Sequence, residues 1–159
     1  MLALDQFDLD RIAEALQDQS ACELRHLVDP RTGVISIWTE DGGLDGERPI
    51  DLDELDLIPI DPLPSYVWYQ DMADFAGRVG DEQASDQLSI ALRGKGAFRR
   101  FKDRLHRDWP GLLPRWQAFH DVRAHRRAVA WLSGKALVSQ EAADRFIAEN
   151  PDPDLRQGR

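Results

Sequence analysis

Apolar residues first fall at helical spacing in "DLDRIAEALQDQ", where Leu9, Ile12, Ala13 and Leu16 share one side and Asp8 stands where an N-cap belongs. The period then drops to two. In "ELRHLVDPRTGVISIW", Leu24, His26 and Val28 alternate with their neighbours, "DPRTG" supplies a turn, and residues 34–38 return as the second arm of a β-hairpin. "TEDGGLDGERP" reads as a polar, glycine-rich loop. "LDLIPIDP" predicts a third strand, short and proline-bounded and therefore at a sheet edge. From Ser65 the period is helical again. Ser65 is placed to cap "YVWYQDMADFAGRV", whose Val67 or Trp68, Met72, Phe75 and Val79 form a stripe. "DEQASDQLSIALRG" follows, with Leu88, Ala91 and Leu92 inward and Gly94 as its stop. A helix over 96–107 breaks before "WPGLLP". A longer one runs over 114–132 with Trp116, Phe119, Val129 and Leu132 inward, and a last one is opened by Ser139 with Glu141 near its start.

This order predicts an α+β fold: an N-terminal helix, a small antiparallel sheet made of a hairpin plus an edge strand, then a C-terminal bundle of about five helices. With 159 residues, of which 42% are hydrophobic, the chain suits one domain over 1–150. An acidic helix-and-sheet half covers 1–64 and a helical half covers 65–150. The end, "PDPDLRQGR" (151–159), is expected to fray. One cysteine, Cys22, leaves no disulfide within the chain, and no apolar run approaches the ~18 residues of a membrane helix. Both point to a cytoplasmic protein that does not enter a membrane.

The net charge of −9 hides a segregation. Residues 1–64 hold four basic and sixteen acidic residues, whereas 93–135 hold twelve basic and three acidic. The densest part is "RGKGAFRRFKDRLHRD", residues 93–108, with seven arginines and lysines. On a helical wheel Phe98, Phe101 and Leu105 share a side and should be buried, while Arg100, Arg104 and Arg107 oppose them and should face solvent. Gly94 and Gly96 readily take positive φ, which lets successive N–H groups point into one concavity at a helix start, the physics of an anion cradle. No Ser or Thr follows Lys95 to hold magnesium, so the segment does not match the nucleotide P-loop pattern and none is expected. The competing reading makes Gly94 and Gly96 a plain helix–helix joint with Lys95 solvated.

"GKGAFRRFKD" resembles the hallmark of a bacterial family catalogued only as an uncharacterised protein family. The resemblance extends to the hairpin "LVDPRTGVI", to "LPSYVWYQDMADF" and to the aromatics of "WQAFHDVRAHRRAVAWL", covering roughly residues 8–134. The chain departs from the family in its "DGGLDGE" loop and its "WPGLLPRW" joint. The resemblance implies a small α+β protein and brings no activity, cofactor or catalytic residue with it.

Other constellations favour structure over chemistry. His120 and His125 are five apart and so do not form a metal pair on one helix face, and His26 and His106 have no ligand partners in sequence. The run "DLDELDLIPID" presents Asp51, Asp53, Glu54 and Asp56 without the glycine of a calcium loop, which suits a solvated or internally paired acidic face. Trp109, Trp116 and Trp131 lie in the helical half. Trp116 and Trp131 read as core, and Trp109, beside Pro110, as the exposed one. No nucleophile motif is present, and no metal or other cofactor is expected. The function read from these residues is a non-enzymatic binding module. Its anion or nucleic-acid site comprises Gly94, Lys95, Gly96, Arg99, Arg100, Lys102, Arg104 and Arg107, extended by Arg123, Arg126 and Arg127. RNA is favoured over duplex DNA because no helix-turn-helix or basic-zipper frame is visible. The alternative is a protein-interaction or regulatory factor whose basic helix pairs with an acidic partner, or with residues 40–61 of the same chain.

Overall fold

The computed structural model describes residues 1–19, 24–46 and 56–156. Cys22, Asp51, Asp53 and Glu54 lie outside them. The fold is α+β. Helix α1 (Leu9–Gln17) precedes strands β1 (Leu24–Val28), β2 (Ile35–Thr39), β3 (Gly43–Leu44) and β4 (Ile58–Ile60). Helices α2 (Ser65–Arg78), α3 (Glu82–Ala91), α4 (Ala97–Asp108), α5 (Leu113–Gly134) and α6 (Gln140–Glu149) follow. The chain divides into two compact units. A sheet unit comprises Met1–Leu63 and Ala124–Asn150, and a helical unit comprises Pro64–Arg123 and Pro151–Arg159. Helix α5 therefore contributes its first half to the helical unit and its second half to the sheet unit.

In the sheet unit, Asp8 caps α1 by accepting the Arg11 N–H at 3.3 Å. The hairpin forms as read, with His26 opposite Ile37 and Val28 opposite Ile35. The sheet is antiparallel in the order β3-β2-β1-β4, so the proline-bearing β4 is at an edge. Strand β1 is central, and His26, Leu27 and Val28 are all buried in succession where alternation was expected. A central strand covered on both faces loses its period-two signal. The loop after β2 contains a two-residue strand that the polar sequence conceals. Thr39 pairs with Gly43 and Trp38 with Leu44, and Asp45 exchanges bonds with Ile37, donating its N–H to the Ile37 carbonyl at 2.7 Å and accepting the Ile37 N–H at 3.0 Å. Ser139 caps α6, accepting from the Ala142 N–H at 3.1 Å.

In the helical unit, Trp68, Met72, Phe75 and Val79 form the buried side of α2 and its C-cap. Ser65 is the first helical residue and not the cap. The flanking position is Pro64, whose ring fixes φ and which carries no N–H to satisfy. Phe75, Phe101, Trp116 and Phe119 form an aromatic core, with Phe101 and Trp116 rings 4.9 Å apart, edge to face. Leu155, from the segment expected to fray, is buried in the same core. Trp109 is half-buried against it, where exposure was expected.

Candidate nucleic-acid interface on the basic helix

Helix α3 ends at Ala91, and Gly94 and Gly96 both take left-handed conformations, with φ of 75° and 77°, before α4 begins. Arg100, in the first turns of α4, folds back over this joint. Its Nε donates to the Ala91 carbonyl at 3.0 Å, its Nη atoms to the carbonyls of Arg93 and Lys95, and one of them also reaches the Gly94 carbonyl at 3.5 Å. The last carbonyls of a helix have no partners within it, and a guanidinium offers five donors in a planar fork. Arg100 thus satisfies the end of α3 and the turn behind it. Arg100 is exposed, as its place on the ridge predicts, but its guanidinium is not free: four backbone oxygens hold it. The positive charge that the joint offers outward comes from Arg93 and Lys95, both exposed.

The remaining cations of α4 divide similarly. Arg104 is half-buried, 2.9 Å from Asp108 and 3.1 Å from Gln87 Oε1. Its hydrogen bond is the chief reason the Asp108 carboxyl is held below the usual carboxylate range. Arg107 lies 3.5 Å from Asp108, and Arg99 lies 3.7 Å from Asp103 with most of its side chain in water. Lys102 is exposed.

Phe98, expected to be buried, is a correction. It is 40% exposed, while Ala97, Phe101 and Leu105 are buried. These three recur at i, i+4 and i+8, one ridge of the helix, and leave Phe98 about 100° away from Ala97. Side-chain size misled the wheel, because the alanine and not the phenylalanine begins the buried row. Phe98, Lys102 and His106 therefore form an exposed row of their own. That row leads to a groove of about 460 Å³ lined by Lys102, His106, Trp116 and Gln117 over Leu105.

Arg123, expected to extend the patch, does the opposite. It is 9% exposed, and its guanidinium is 3.2 Å from Asp71, 2.6 Å from Asp74 and 2.9 Å from Asp152, stacked 4.5 Å over the Phe119 ring. Burial alone would favour its neutral form. The bonds it donates to Asp152, Asp74 and Asp71 outweigh that and raise its affinity for the proton above that of a free arginine. The sequence offers one clue, since Trp116, Phe119 and Arg123 fall at i, i+3 and i+7 on the buried stripe. Arg126 donates to the Asn150 carbonyl at 3.0 Å, and Arg127 is half-buried and likewise engaged. Histidines serve local pairs: His26 is 2.9 Å from Asp18 and His125 is bonded to Asp10. Among the described residues no group of three His, Cys, Asp or Glu side chains is arranged to hold a metal ion, and no helix is long and apolar enough to cross a membrane.

The geometry on α4 is that of a mixed aromatic and cationic surface. No curated protein and no solved structure matches the chain. A family model does, over residues 6–149, and the chain belongs to that uncharacterised protein family, UPF0158.

Proposed function

We propose that the chain is a non-enzymatic cytoplasmic binding module that holds a polyanion, single-stranded RNA by preference, on the outer surface of α4. The observation that carries this reading is Phe98, an exposed aromatic ring set among Lys95, Arg99 and Lys102. Single strands are held by that combination, with phosphates on cations and a base on a ring. An anion at the Gly-Lys-Gly joint meets Lys95 and Arg93, while Arg100 keeps the joint in shape.

The test is polarisation binding of a fluorescent single-stranded RNA at two salt concentrations. The triple variant Lys95→Gln, Arg99→Gln, Lys102→Gln should weaken binding at low salt and flatten the salt slope by about two units, at ~0.7 per phosphate contact. Phe98→Ala should weaken binding roughly 5- to 150-fold, equivalent to about 1–3 kcal/mol for one stacked base, with little change in slope. A parent protein that ignores RNA at low salt sinks the reading. If polyglutamate binds the parent instead, the acidic-partner alternative takes its place.

A further inference from the structure

A second concavity in the helical unit lies away from the Phe98 row. It has a volume of about 600 Å³, within the range of small-molecule sites. Trp109, Leu112 and Leu155 supply its apolar lining, and Arg115, Arg156 and Asp81 its charged groups. Arg115 stands in the first turn of α5, where the helix adds positive potential. Neither the Arg115 nor the Arg156 guanidinium has a hydrogen-bond or ion-pair partner among the described residues. Arg156 uses only its backbone N–H, donated to Asp154 at 2.9 Å. This contrasts with Arg78, Arg100, Arg104 and Arg123 of the same unit, each of which is bonded to a carboxylate or a carbonyl. Asp81 spends one oxygen, Oδ1, on the Ala84 N–H at 3.0 Å to cap α3, which leaves Oδ2 as an acceptor at the rim.

We propose that this pocket binds a nucleoside monophosphate. The phosphate takes the two guanidiniums, whose planar forks match phosphate oxygens. The base lies against the Trp109 indole and the two leucines, and a ribose hydroxyl donates to Asp81 Oδ2. The donor excess of the lining selects an anion, and the apolar floor selects one that carries a flat ring. This inference is independent of the RNA reading, because it uses none of the α4 cations and not Phe98.

The experiment is isothermal titration calorimetry of the full chain with AMP, adenosine and inorganic phosphate as separate probes. AMP should bind saturably at one site, with adenosine at least about tenfold weaker, the value of one lost charge-assisted contact, and phosphate at least about fivefold weaker, the value of one lost stacked base. The double variant Arg115→Gln, Arg156→Gln should lose at least about tenfold while melting with the parent, and Phe98→Ala should leave AMP binding unchanged. No AMP binding overturns the proposal, as does AMP affinity that persists in a folded double variant. Phosphate binding as tight as AMP also overturns it. Should the double variant not fold, the ranking of the three probes on the parent decides alone.

Discussion

The sheet unit carries eight basic and nineteen acidic residues, whereas the helical unit carries twelve and ten. Their interiors differ as much as their charges. Ile12, Leu16, Leu27, Val28, Val129 and Leu132 make the sheet unit's core aliphatic, while the helical unit packs Phe75, Phe101, Phe119 and Trp116 ring to ring. Its near-balance of charge also conceals a division of labour. Arg100, Arg104 and Arg123 are turned on the protein's own carbonyls and carboxylates, while Lys95, Arg99 and Lys102 are left to the solvent side. A run of cations in a sequence is therefore not one feature, and each cation must be placed separately.

The largest effect that tests this division is at Arg123. Arg123→Gln removes the guanidinium that Asp71, which has no exposed surface, shares with Asp74 and Asp152, and should cost about 3–5 kcal/mol by urea denaturation, as for other broken buried ion pairs. A loss within ordinary surface limits of about 0.5 kcal/mol would remove Arg123 from the inward class.

Next come two glycines, one from each unit. Gly33 and Gly94 both have positive φ, but a Cβ on Gly33 would meet the Gln6 carbonyl oxygen at 2.5 Å, while one on Gly94 meets nothing within 4 Å. Gly94→Ala should cost about 1–2 kcal/mol for the left-handed conformation alone, and Gly33→Ala should exceed it because backbone must move. Equal melting shifts would show that the sheet unit yields at Gln6.

Smaller again is the contrast within α4. Arg100→Gln should destabilise by about 1.5 kcal/mol, the low end for bonds from a charged donor, whereas Arg99→Gln and Lys102→Gln should stay within about 0.5 kcal/mol. The same melts show whether the RNA-binding variants are folded.

The smallest effect is in pH. Desolvation opposes ionisation of Asp74, but the hydrogen bond from Arg123 prevails and places its folded pKa below the ordinary 3.8. The folded state then binds the proton less readily than the unfolded one. The stabilisation is complete above about pH 4 and disappears as pH falls through the folded pKa. Asp74→Asn should flatten the fall in urea midpoint below about pH 4. In the sheet unit, the half-buried Asp29 is lowered mainly by the Arg31 backbone N–H, so Asp29→Asn should flatten the same fall.

What was legible in the sequence was local. Asp8 and Ser139 announce their helices because a cap needs only the next three residues. The hairpin and the edge strand follow from turn chemistry and proline. The fold class rests on such signals. The site was legible in part, since the basic helix and its left-handed glycines stand where the spacing put them. The capture of the exposed Arg100 side chain by the joint was not, because it depends on where the carbonyls of residues 91–95 point. Phe98 escaped because a one-residue rotation of a wheel exchanges Ala97 for it. The Arg123 cluster joins residues 29, 49 and 52 positions apart, beyond the reach of any local pattern.

That cluster has a consequence for the order of synthesis. Asp152 follows Arg123 by 29 residues, and Leu155 comes after that, yet both complete a unit whose other parts end at Arg123. On the ribosome, α2, α3 and α4 emerge early with Asp71 and Asp74 in place. They must wait for the second half of α5 and all of α6 to be made before the third carboxylate and the leucine arrive. A truncation after Asn150 would leave the helical unit permanently in that waiting state, with Arg123 short of a carboxylate and a gap where Leu155 belongs.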